Sequence, residues 1–172
     1  MASLIDTLTE TLNMEDDEYQ KLLDLSKGKT EVIVAGDLNA LALITDKEQA
    51  IVTRINALEA TRTETMIEIA KILNTDVAGL KLETLIDLLS KKPREQENLS
   101  LVHDKLHVTL YEMKMVNERN EELLKSAMEM VDFNMNLITA MRKAPQTANY
   151  NKGAYNTGSQ LGIGSGSFDA KQ

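Results

Sequence analysis

The chain has 172 residues, with 19 Lys+Arg against 27 Asp+Glu and a formal net charge of -8. That balance argues against a nucleic-acid or anionic-membrane partner, because phosphate-rich surfaces are held by basic patches. There is no Cys and no Trp, and only two Phe and four Tyr. Disulfides, thiolate metal sites and cysteine nucleophiles are therefore excluded, and a composition led by Leu, Ile, Ala, Met, Glu and Lys suits long helices packed through aliphatic seams.

The opening residues Met1-Ala2-Ser3-Leu4-Ile5-Asp6 carry no basic flank and no long apolar run. Neither a secretory signal nor a membrane span is expected, and the expected compartment is the cytoplasm. A first helix is predicted from about Leu4 to Val34, with Ile5, Leu8, Leu12, Tyr19, Leu22 and Leu23 at three- and four-residue steps. The acidic run Glu15-Asp16-Asp17-Glu18 is expected to be a solvated face. Gly36 is placed to end this helix in a left-handed conformation, and Asp37 to cap the next.

A second helix is predicted from Leu38 to about Leu73. Its seam is Leu41, Ile44, Glu48, Ile51, Ile55, Leu58, Arg62, Thr65, Ile69 and Ile72, the alternation of coiled-coil packing. Glu48 and Arg62 interrupt it, and polar seam residues fix register at some loss of stability. A short amphipathic helix follows at roughly Leu82 to Leu89, and Pro93 suits the first turn of another.

The last helix is predicted from Pro93 to about Lys143. Its seam runs Leu99, Val102, Leu106, Thr109, Met113, Val116, Asn120, Leu123, Ala127, Met130, Asn134, Leu137 and Met141. A second column, Leu110, Asn117, Leu124, Val131 and Ile138, repeats every seventh residue. As far as about residue 120 the helix reads as one apolar face with a charged back. From Leu123 to Met141 the apolar residues spread, with Met128, Phe133 and Met135 on faces the seam does not use. A helix apolar on more than one face has to bury more than one face. Residues 144–172 are rich in Gly, Ser, Asn, Gln and Thr and are expected to form a flexible tail.

Two motifs suggest chemistry and fall short of it. His103 and His107 sit one helical turn apart, as in zinc proteases, but Asp104 replaces the general-base Glu and the chain has no third His. Gly162, Gly164 and Gly166 lie close together as in a phosphate loop, but such loops open a helix and none is expected after them. No catalytic constellation and no cofactor are expected.

The stretch Asn117-Glu118-Arg119-Asn120-Glu121-Glu122-Leu123-Leu124-Lys125-Ser126-Ala127-Met128-Glu129-Met130-Val131 has two asparagines three apart, a pair of aliphatics, then a small and apolar run. It resembles the signature of FlgN-type flagellar export chaperones. Gly36-Asp37-Leu38, Leu58-Glu59-Ala60-Thr61-Arg62 and Tyr150-Asn151-Lys152-Gly153 are similar to further elements of that family. Where the family has Gly after the second asparagine, Glu121 stands here.

The resemblance implies an all-α, elongated antiparallel bundle of three long helices and one short one. It would form a single domain over residues 1–143, with residues 144–172 as the tail. It also implies a chaperone without enzymatic activity, whose partners are hook-associated proteins one and three and, further on, the type III export gate. In the family, binding maps to the last helix. Here Leu123, Leu124, Met128, Val131, Phe133, Met135 and Ile138 would contact the client, while Asn117 and Asn120 would hydrogen-bond in the interface or fix register. The alternative is a self-associating coiled-coil scaffold or another secretion adaptor, dimerising through residues 123–141.

Overall fold

The computed structural model describes residues 2–76 and 80–143. Its helices are α1 (Ala2–Ala35), α2 (Leu38–Leu73), α3 (Leu82–Leu88) and α4 (Pro93–Lys143), with a 3-10 turn, Leu89–Lys91, after α3. No strand occurs among the described residues. The chain divides into two compact units, residues 1–133 and 134–172. The expected tail, 144–172, lies outside the described residues.

The helix boundaries follow from local chemistry. Gly36 takes φ 68°. Its N–H bonds to the Ile33 carbonyl at 3.1 Å and that of Asp37 to the Val32 carbonyl at 3.2 Å, the two bonds of a Schellman ending. Asp37 then accepts the Ala40 N–H at 2.9 Å and caps α2. A Cβ at Gly36 would meet no atom within 4 Å, so only the backbone resists a side chain there. Gly36→Ala is expected to cost about 1 kcal/mol, read by urea unfolding; an unchanged midpoint would show that this turn relaxes freely. Asn74 ends α2 in the left-handed region, φ 53°. Pro93 begins α4, where a missing N–H costs nothing.

In the unit of residues 1–133, α1 lies between α2 and α4. Its links to α2 run antiparallel: Glu15 to Arg62, Glu18 to Arg54, Lys29 to Glu48. Its links to α4 run parallel: Asp16 to Lys105 and Thr109, then Ser26 and Thr30 to Asn120. The segment through α3 returns the chain so that α4 can run alongside α1.

The continuous core sits at one end. Ile5, Leu8 and Leu12 of α1 meet Ile69 and Ala70 of α2, Leu80, Leu85 and Leu89, and Leu99, Val102 and Leu106 of α4. Each fully buried Leu or Ile of this set contributes about 1.5–3 kcal/mol. Gln96 of α4 donates to the Ile86 carbonyl at 3.0 Å and ties α3 to this end.

Three features depart from the sequence expectation. Glu15 and Asp16 are fully buried, whereas Asp17 is exposed. A helix flanked on two sides turns neighbouring positions, about 100° apart, toward different partners, so Glu15 faces Arg62 of α2 and Asp16 faces α4. Ile72, expected in the α2 seam, is exposed at the helix end. The back of α4 is not simply charged: Leu101, Val108, Tyr111 and Met115 stand exposed on it.

Candidate functional site

At the other end of residues 1–133 the packing changes from apolar to polar. Asn120 of α4 is buried. Its Nδ2 donates to the Ser26 carbonyl at 2.8 Å, and its Oδ1 accepts from Thr30 Oγ1 at 2.6 Å. Ser26 Oγ in turn donates to Glu48 Oε1 at 3.2 Å, and Lys29 Nζ reaches Glu48 Oε2 at 2.7 Å. This clasp joins three helices without filling the space between them. Asn120→Ala is expected to cost about 1–2 kcal/mol in urea unfolding, the loss of two buried hydrogen bonds. An unchanged stability would mean that the clasp does not hold α4.

Beyond the clasp the helices separate into a groove with two joined recesses. The first, about 830 Å³, is lined by Leu22, Ser26, Lys29, Glu48 and Val52 on one side and by Asn117, Asn120, Glu121, Leu124, Lys125, Met128, Glu129 and Asp132 on the other. The second, about 360 Å³, lies against the α1–α2 turn. Val32, Ile33, Gly36, Asp37, Leu38 and Leu41 form one wall, and Leu124, Ala127, Met128, Val131 and Asp132 the other. Leu124, Met128 and Asp132 belong to both. The core helices pack by apolar contact, whereas here apolar side chains face open space: Met128 is 68% exposed and Val131 59%.

The residues singled out in the sequence divide accordingly. Asn117, Leu124, Met128 and Val131 line the groove. Asn120 lies at its floor with both ends of its amide bonded within the chain, so it sets the register of α4 on α1. Leu123 is half-buried beside the groove and lines neither recess. Phe133 is 66% exposed and, nine residues on from Leu124, stands on the opposite side of the helix. Met135 and Ile138 belong to the second unit, where the helical residues 134–143 leave both exposed.

In the opposing wall, Leu41 was expected in the α2 seam and Leu38 next to the Gly36-Asp37 element, whereas Val32 and Ile33 were not singled out and none of the four was expected at a binding site. The signal for this wall is the tight Gly36-Asp37 turn, which forces the last turn of α1 to lie beside the first turn of α2.

His103 and His107 do share a face, with ring centroids 6.3 Å apart, and His103 Nδ1 lies 3.0 Å from Asp104 Oδ1. Among the described residues no group of three or more His, Cys, Asp or Glu is arranged to hold a metal. Among those residues, too, no helix is long and apolar enough to cross a membrane.

A groove with apolar walls suits binding of a helix. The family model described as FlgN protein matches residues 1–157. One relative, named Uncharacterized protein YvyG, from Bacillus subtilis (strain 168), is 27% identical over 135 residues, covering 77% of this chain and 76% of its own. No solved structure matches the chain significantly. With most of its length matched, the chain belongs to the FlgN family, a family of flagellar export chaperones rather than enzymes.

Proposed function

We propose that the protein is a cytoplasmic chaperone for hook-associated proteins one and three. It binds their C-terminal helical segment, keeps them from assembling prematurely, and brings them to the type III export gate. The observation that carries this reading is the open groove between α4 and the α1–α2 turn. Filament-end subunits use such helices to coil against neighbours. Free in the cytoplasm, a helix of that kind exposes its apolar stripe, and the groove can cover it in a helix-in-groove mode.

Leu124, Met128 and Val131 make the central contacts, with Asn117 at one end of the groove. Leu123, beside the groove, and Met135 and Ile138, exposed on the helical residues 134–143, are further contacts; Phe133, on the opposite side of α4 from Leu124, lies outside this set. Flexible Met side chains let one surface accept two clients. Affinity between micromolar and nanomolar corresponds to about 8–12 kcal/mol net, and ordering of the client offsets part of the contact energy and keeps the complex releasable.

The test is a titration of the full chain with C-terminal fragments of the hook-associated proteins, with light scattering for stoichiometry. A saturable 1:1 complex is expected. Absence of binding, together with a stable homodimer through residues 123–141, would replace the chaperone by a self-associating scaffold.

A further inference from the structure

The groove has a charged edge as well as apolar walls. Along α4, Glu121, Lys125, Glu129 and Asp132 follow one another at helical spacing and flank Leu124, Met128 and Val131 on one side. Asp37 adds a carboxylate at the turn. The Lys29 ammonium is already held by Glu48 at 2.7 Å. Among the described residues, Glu121, Glu129 and Asp132 have no ion-pair partner within 4.0 Å. The edge is therefore predominantly acidic, with Lys125 interposed among its carboxylates, on a chain of net charge -8.

We propose, on the reading of the groove as a helix-binding site, that its occupant is an amphipathic helix carrying Lys or Arg along one flank of its apolar stripe. The apolar walls alone admit a helix in either direction. An acidic edge on one side favours the direction that sets the basic flank against Glu121, Glu129 and Asp132, and like charge there is penalised. The edge thus selects both the partner and its orientation. It also raises the association rate at low salt, because exposed charges steer an approaching partner of opposite sign.

The experiment uses the full chain and two synthetic helical peptides of about five turns. They share one Leu/Ile stripe, and one flank is Lys/Arg in the first peptide and Glu in the second. At about 50 mM salt the basic-flank peptide is expected to bind about tenfold more tightly, the sum of a few exposed pairs, and the gap should shrink at about 500 mM as screening sets in. E121K/E129K/D132K should reverse the preference. E64K/E68K/E83K makes the same change in net charge away from the groove and should leave the preference as it was.

Equal affinity for the two peptides would overturn the charge proposal while leaving the groove a helix site. A preference moved equally by both triple variants would overturn it as well, by assigning the effect to net charge alone. Failure of both peptides to bind would overturn it together with the proposed function.

Discussion

Leu124→Asp combined with Val131→Asp lowers affinity for a hook-associated C-terminal fragment by about a hundredfold or more, with the helical signal retained. Both side chains line the groove, and neither belongs to the core at the other end of the bundle. In the free protein Val131 is exposed and Leu124 half-buried at the open groove wall, so both new carboxylates keep access to water. In the complex they would face an apolar stripe, where an unpaired charge loses several kcal/mol of hydration. A hundredfold corresponds to about 2.8 kcal/mol, well within that penalty. Isothermal titration checks the affinity and circular dichroism checks the fold. A folded double variant that binds like its parent would place the client elsewhere on the molecule.

Arg62→Ala destabilises the protein by about 2–3 kcal/mol at neutral pH, and adding Glu15→Gln restores most of the loss. Glu15 is fully buried, and its Oε2 accepts from Arg62 Nη1 at 3.0 Å. Its Oε1 has no hydrogen-bond partner. Burial pushes the Glu15 carboxyl above its usual range; Arg62 opposes this and Glu59 adds to it. Removing Arg62 leaves a buried carboxylate without its counter-charge, which is the expensive half of a broken pair.

The pH dependence follows from the direction of the shift. The folded state holds the Glu15 proton more tightly than the unfolded chain does. The group therefore favours folding most below its unfolded value and loses that contribution as pH rises through the raised one. The penalty of Arg62→Ala is greatest near pH 7 and shrinks as the solution is acidified through the raised Glu15 value. Urea unfolding at several pH values, on a double-mutant cycle, separates this from lost packing. A deficit independent of pH, and not relieved by Glu15→Gln, would show that Arg62 acts through its aliphatic stem.

Helix ends were legible in the sequence because each rests on a local rule. Gly36 supplies a left-handed residue, Asp37 a cap, and Pro93 a start. Most of the α2 seam was legible for a related reason, since a three-four alternation points one way along a helix. The Glu15-Asp16-Asp17-Glu18 run departs from the solvated face its charge predicts, because composition cannot show how many helices flank α1. Two flanking helices turn Glu15 and Asp16 inward and leave Asp17 in water.

The α4 side of the groove could be suspected from the spread of apolar residues around Met128 and Val131. The facing wall could not, because Val32 and Leu38 are neighbours only through the turn between α1 and α2. Asn120 shows the same boundary between local and tertiary information. Its spacing from Asn117 is visible in the sequence, while its inward orientation depends on Ser26 and Thr30, far back along the chain in α1.

The exposed apolar residues of this protein lie in more than one place. Besides the groove, Leu101, Val108, Tyr111 and Met115 form a patch on the back of α4. Methyl NMR of the full chain, titrated with a C-terminal hook-associated fragment, tells the two apart in one measurement. Perturbations centred on Leu38, Leu41, Leu124, Met128 and Val131, saturating at one fragment per chain, are expected if the groove holds the client helix. Perturbations confined to Leu101, Val108 and Met115, with the groove methyls unmoved, would contradict it.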